Sequence, residues 1–198
     1  MVGLGNPDEK YRGTRHNLGF HAVEEFCRRI GIAWSGRECL SQIARGRLGA
    51  IEILVAKPET YMNASGEAVT CLANRYGVAP EDLLVVCDDA AIDLGAIRLR
   101  ASGSDAGHRG MRSILESMAT ENIPRLRIGI RTAETSRQDL AEHVLSSFAT
   151  HERGRAEEQA RRAAECIQTV LEEGMLSAMN RYNRRQTRDP EDSETNPK

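Results

Sequence analysis

Leu83-Leu84-Val85-Val86-Cys87-Asp88-Asp89 is the stretch on which the fold turns. A strand with one wet face alternates apolar and polar residues, so an unbroken apolar run predicts a central strand covered on both sides. The two aspartates fall where that run ends, and open α/β sheets place their sites at strand ends.

Working outward, strand-like and helix-like segments alternate on both sides of the run, the pattern of an α/β domain. Upstream, Phe20, Val23, Cys27 and Ile30 recur at helical spacing, and Gly31 supplies a stop. Ser41 to Leu48 and Ala50 to Ala56 read as two strands joined near Gly49, and Ser65 to Tyr76 as a helix closed by Gly77. Downstream, Ala96 to Arg100 alternates as a strand with Arg98 and Arg100 on one face. Gly110 to Met118 reads as a helix and Leu126 to Ile130 as a strand. His151 to Glu173 forms a long amphipathic helix, and Met175 to Tyr182 a short one. Arg184 to Lys198 is polar, proline-interrupted and without an apolar face, so residues 184–198 are expected to be a disordered tail. One domain over residues 1–183, with no internal repeat, accounts for the rest.

With 4% aromatic residues, the core must be built mostly from Leu, Ile, Val and Ala. The formal charge of -2 neither favours nor excludes a nucleic-acid partner, because local clustering decides that question. The five cysteines are scattered without a Cys-x-x-Cys pair, which predicts free thiols in a reducing compartment rather than disulfides or a zinc site. No apolar run reaches bilayer length and no basic-then-apolar leader is present, so a soluble, cytoplasmic chain is expected.

Polar residues gather beside the strand-like runs: Asn6, His16-Asn17, Met62-Asn63 and Asp88-Asp89. No Gly-x-Ser-x-Gly elbow supplies a serine nucleophile, and no His-Glu-x-x-His spacing suggests a metal. Gly3-x-Gly5 lacks the third glycine of a dinucleotide fingerprint, since Asp8 stands there. What remains is a histidine suited to proton transfer, a carboxylate to orient it, and amide donors, which together serve water-mediated ester hydrolysis. Each residue alone also has a structural reading. His16 and Asp88-Asp89 suit helix caps or turns, and Met62 suits core filling. Gly103 to His108 suits a flexible connection, and Arg98, Arg100, Arg125 and Arg127 suit a charged sheet edge.

Six ordered motifs combine these residues. They are Gly3-Leu4-Gly5-Asn6-Pro7 with Tyr11 and Thr14-Arg15-His16-Asn17-x-Gly19; Lys57-Pro58-x-Thr60-Tyr61-Met62-Asn63-x-Ser65-Gly66; and Asp88-Asp89, Gly95, Arg98, Gly103-Ser104 and Gly107-His108-Arg109-Gly110. Arg125 to Ile130, Val144-Leu145-Ser146-x-Phe148 and Ala178 to Asn183 complete the set. From Val2 to about Asn183 the chain resembles the bacterial-type peptidyl-tRNA hydrolase family.

The resemblance implies an α/β three-layer sandwich with a mixed, mostly parallel central sheet flanked by helices. It implies cleavage of the ester between a peptide and the tRNA 3′ ribose, without cofactor or metal, by a monomer engaging the acceptor stem and 3′ end. His16 falls on the family's general base and Asp88 on the carboxylate that orients it. Asn63 falls on a substrate-binding residue that helps stabilise the oxyanion, and Asn6 on the asparagine linked to preferring an acylated amine. Tyr11, Tyr61, Met62, His108 and Arg109 fall on substrate-lining positions, and Arg100 and Arg127 on basic positions that clamp the tRNA 5′ phosphate.

Three positions depart from the family pattern. Ala91 stands where a second acid is usual, Arg109 where an asparagine is commoner, and Asp8 where a glycine is usual, a replacement expected to alter only a turn. Two further readings compete with hydrolysis of peptidyl-tRNA. One is a non-catalytic, splicing-type RNA binder of the same fold, favoured by Arg109 and the altered Asp89 to Asp93 stretch. The other is a small-molecule esterase or amidase using the same base, which has no need of Arg100 and Arg127.

Overall fold

Val85, Val86 and Cys87 lie in the middle of a seven-stranded sheet. The computed structural model describes residues 1–133, 135 and 139–184. Its strands are β1 (Val2–Gly3), β2 (Trp34–Glu38), β3 (Ser41–Leu48), β4 (Ile51–Pro58), β5 (Val85–Asp93), β6 (Ile97–Arg100) and β7 (Arg125–Arg131). Its α-helices are α1 (Leu18–Arg29), α2 (Ser65–Tyr76), α3 (Arg109–Met118), α4 (Leu140–Leu145), α5 (Thr150–Glu173) and α6 (Met175–Tyr182). The strand order is β2-β3-β4-β1-β5-β7-β6. The sheet is mixed: β4, β1, β5 and β7 pair in parallel at its centre, while β2, β3 and β6 add antiparallel edges.

Alternation along β5 explains why its sequence is apolar throughout. Val86 joins a core with Val23 and Phe26 of α1, Ile128 of β7 and Ile167 of α5. Val85 and Cys87 join the opposite core, with Val69 and Leu72 of α2 and Ile114 of α3. Helices on both faces make the three layers, and each fully buried Val, Leu or Ile contributes roughly 1.5–3 kcal/mol. At Gly19, near the start of α1, an added Cβ would come 2.4 Å from the Val86 carbonyl oxygen and 2.5 Å from that of Leu4. Only a glycine lets α1 press this closely on β1 and β5.

Several features differ from the sequence reading. β2 was not expected, because Trp34 is its one large apolar side chain and its middle is exposed. α4 was not expected either, being short and capped by Asp139 rather than marked by a core-facing stripe. Asp88 and Asp89 do not follow β5 but lie within it, as the strand continues to Asp93. The expected five free thiols are corrected: Cys39 and Cys71 form a disulfide with a Cα–Cα separation of 5.5 Å. The β2–β3 turn holds Cys39 and Leu40 at φ 48° and 55°, and α2 presents Cys71 to it. Cys27, Cys87 and Cys166 are free and buried, where loss of solvation raises each thiol pKa. Apart from Arg184, the expected tail lies outside the described residues.

Asn183, just past α6, treats edge strand β6 as a partner. Its Oδ1 accepts from the Leu99 N–H at 2.8 Å and its Nδ2 donates to the Leu99 carbonyl at 3.0 Å. Among the described residues no helix is long and apolar enough to cross a membrane.

Candidate active site

A 3-10 turn, Arg15–Asn17, leads into α1 and is buried throughout. Its ends are fixed by distant partners. Arg15 donates its backbone N–H to Ser146 at 3.0 Å. Its guanidinium lies over the Phe148 ring and pairs with the buried Glu152 carboxylate at 2.6 Å. Asn17 binds both backbone groups of Asn6, accepting from its N–H at 2.9 Å and donating to its carbonyl at 3.0 Å. The residue held between these anchors is His16, 7% exposed, whose Nδ1 lies 2.8 Å from Asp88 Oδ1. With Asp88 ionised, Nδ1 carries the proton and donates it, which leaves Nε2 as the basic nitrogen.

Asp88 Oδ1 also receives His108 Nε2, at 3.0 Å. The tautomer of His108 follows from its other nitrogen: Nδ1 accepts from the Met111 backbone N–H at 3.1 Å, capping α3, so Nε2 must hold the proton. Burial alone would raise the Asp88 pKa, but the two imidazoles and their hydrogen bonds overcome it and hold the carboxyl well below the usual range. The His16, Asp88 and His108 ligand atoms lie within 4.8 Å of one another, a candidate metal set among the described residues. The Met111 bond argues against that use. A neutral imidazole coordinating through Nε2 carries its proton on Nδ1, which would face another donor here.

Asn6 brings a second function to the same place. Its Oδ1 accepts from the Met62 N–H at 3.0 Å, so the orientation of its amide is set. That leaves its Nδ2 as a donor for an incoming oxygen. Asn63, exposed in the 3-10 turn Met62–Ala64, offers another amide.

These groups line one cavity of about 510 Å³, together with Tyr11, Tyr61, Met62, Asp88, His108, Arg109 and Arg127. Of the candidates read from sequence, Arg100 alone lies outside its lining. The β6–β7 register, Arg98 opposite Arg127 and Arg100 opposite Arg125, nevertheless puts all four arginines on one sheet face. They are not equivalent. Arg127 is ion-paired with Asp89. Arg125 is 2% exposed and donates to the carbonyls of Ile123, Gly103, Ser104 and Glu121, so it anchors the loop that delivers His108. Arg98 donates to the Asn183 carbonyl. Asp8 does more than alter a turn: its carboxylate accepts from the Tyr61 hydroxyl at 3.1 Å.

Sequence reasoning missed three supports. The Arg15–Glu152 pair joins residues 137 apart. The role of His108 as a second partner of Asp88 depends on a glycine-rich loop folding back. The anchoring by Arg125 was hidden because arginines at a sheet edge usually face water. The one available signal was that Arg15 and Phe148 belong to ordered motifs that turn out to touch.

A family model described as peptidyl-tRNA hydrolase matches residues 1–190. A peptidyl-tRNA hydrolase from Desulforudis audaxviator is 43% identical over 183 residues, covering 92% of each chain. One from Aquifex aeolicus is 40% identical, covering 93% of this chain and 95% of its own. The crystal structure of peptidyl-tRNA hydrolase from Acinetobacter baumannii superposes with a TM-score of 0.84 at 33% identity, covering 92% of each chain.

Proposed function

Since the chain belongs to the peptidyl-tRNA hydrolase family, we propose that it is a carboxylic ester hydrolase that frees tRNA from peptidyl-tRNA, with His16 as the general base. Water bound at His16 Nε2 loses its proton as it attacks the ester carbonyl. Asp88 fixes the tautomer through Nδ1 and stabilises the imidazolium that forms; such a positioned base contributes roughly 10²–10⁴-fold in rate. Asn6 Nδ2 and the Asn63 amide donate to the oxygen that gains charge, and one such donor is worth roughly 10²–10³-fold in kcat. The ribose 3′ oxygen then leaves with a proton returned by His16.

The observation that carries this reading is the buried His16–Asp88 bond opening onto a cavity. The free Nε2 and the donors suffice for an activated ester, so the reaction needs no metal or cofactor. Tyr11, Tyr61 and Met62 shape the pocket for the terminal nucleotide and the acyl group. Arg100, Arg109 and Arg127 meet phosphates of the acceptor stem and 3′ end, contacts that carry affinity without reading sequence. In this reading the protein acts as a monomer in the cytoplasm. A pure RNA binder would have no use for a base–carboxylate pair held this deeply.

Peptide release from an N-blocked aminoacyl-tRNA, compared between wild type and His16→Ala, tests the mechanism. A loss of two or more orders of magnitude in kcat with tRNA binding retained is expected; equal turnover would remove His16 from the chemistry.

A further inference from the structure

α4 is amphipathic in the inverse sense. A surface helix normally turns its apolar stripe to the core. Here the inward residue is His143, 1% exposed, whose Nε2 lies 2.8 Å from the Ile130 carbonyl and 3.0 Å from Thr135 Oγ1. Leu140, Ala141, Val144 and Leu145 occupy one arc of the helix at its 3.6-residue period and line the cavity instead. Leu140 and Leu145 remain 52% and 44% exposed, whereas Val144 also packs on the core. Two wet leucines on a helix pinned by a buried histidine form a surface kept for something that enters the cavity.

The network at Asp88 says which part of a substrate that is. His16 and His108 flank this carboxylate with ring centroids 4.9 Å apart. On the His108 side the next residue is Arg109, which meets no acid among the described residues, whereas Arg127 is ion-paired with Asp89, so Arg109 offers an anionic ligand an open cation there. On the His16 side, the Arg15 N–H is bonded to Ser146, the C-cap of α4, which sets the lining residues Leu140, Val144 and Leu145 beside the His16 turn, with Asp139 at the start of the helix. An ester joining RNA to a peptide is divided in the same way, anionic on one side of the scissile bond and largely apolar on the other.

We propose that α4 is an apolar subsite for the side chain of the amino acid esterified to the tRNA, a proposal that rests on the hydrolase reading above. The open leucines suit a loose fit, which accepts many side chains and favours the larger apolar ones. Contact with a base at the RNA 3′ end is the competing use of the same surface.

The test compares N-acetyl-leucyl and N-acetyl-glycyl esters on the same tRNA body. Wild type should cleave the leucyl ester with a kcat/KM about tenfold higher, the scale on which apolar pockets discriminate. The double variant Leu140→Ser/Leu145→Ser should lose that preference while the glycyl rate stays within about twofold, and Leu140→Met/Leu145→Met should retain it. Equal losses on both esters, or no loss on either, would overturn the subsite. Wild type inactive on both esters would instead remove the hydrolase reading beneath it.

Discussion

Asp88 Oδ1 serves two imidazoles with different tasks, and the difference can be measured. His16 uses the bond to present Nε2, whereas His108 uses its own to hold the carboxylate while capping α3. The Asp88 pKa is depressed on folding. Its stabilisation is therefore complete above the ordinary carboxylate value of about 3.9 and is lost only as pH falls through the lower folded value. The acid limb of the rate profile thus does not report Asp88. His108→Ala removes a hydrogen bond to a charged group, worth about 1.5–3 kcal/mol of stability, and leaves the carboxylate that orients His16 less firmly held, so kcat should fall as well. It also removes a cap, lowering stability by about 1 kcal/mol. Thermal melts read beside initial rates separate the two effects; a stability loss with kcat unchanged would reduce His108 to a cap. Arg109 has no acid, carbonyl or ring partner among the described residues and lines the cavity. Arg109→Asn should flatten the slope of log KM against log salt by about 0.7, one phosphate contact to single-stranded RNA, with kcat nearly unchanged. An unaltered slope would place Arg109 away from the phosphates.

Elements were legible where periodicity and punctuation agreed. α1, α2 and α5 announced themselves through apolar residues at helical spacing and through Gly31 and Gly77 as stops. β5 was legible as an apolar run, but its extension through Asp88 and Asp89 was not, because pairing with β7 imposed it. β2 and α4 escaped for opposite reasons: β2 has little apolar content, and the apolar face of α4 looks into a cavity. The proposed base and its carboxylate could be named residue by residue through resemblance. Its supports could not, since a sequence does not show that residues 15 and 152 meet. The Cys39–Cys71 bond escaped in the same way, at a separation of 32 residues with no motif around it. Closing a loop of that size should add about 3–4 kcal/mol. Cys71→Ser should therefore melt several degrees lower than wild type, and a reductant should lower the melting temperature of wild type alone. Identical melting with and without reductant would mean that the link contributes nothing.

Across the whole molecule, the buried Arg15–Glu152 pair ties the turn bearing His16 to the start of α5. Burial alone would raise the Glu152 pKa, but the Ala149 N–H and the Arg15 guanidinium outweigh it and hold the pKa below its ordinary value. The stabilisation is then complete above about pH 4.3, the unperturbed Glu value, and is lost as pH falls through the folded value. Glu152→Ala strands a buried guanidinium and should cost about 3–5 kcal/mol at neutral pH, with a flatter dependence of stability on acidification. Urea melts at several pH values would show it, and parallel curves for the two proteins would contradict it. At the far edge of the sheet, the Asn183 side chain occupies the backbone groups of Leu99 as a further strand would. Sheet edges left open are templates on which other chains can add, the first step toward fibrils. A chain ending before Asn183 should thus keep His16, Asp88 and His108 in place yet scatter light at high concentration, so that colloidal solubility, rather than turnover, is what the first residue after α6 secures.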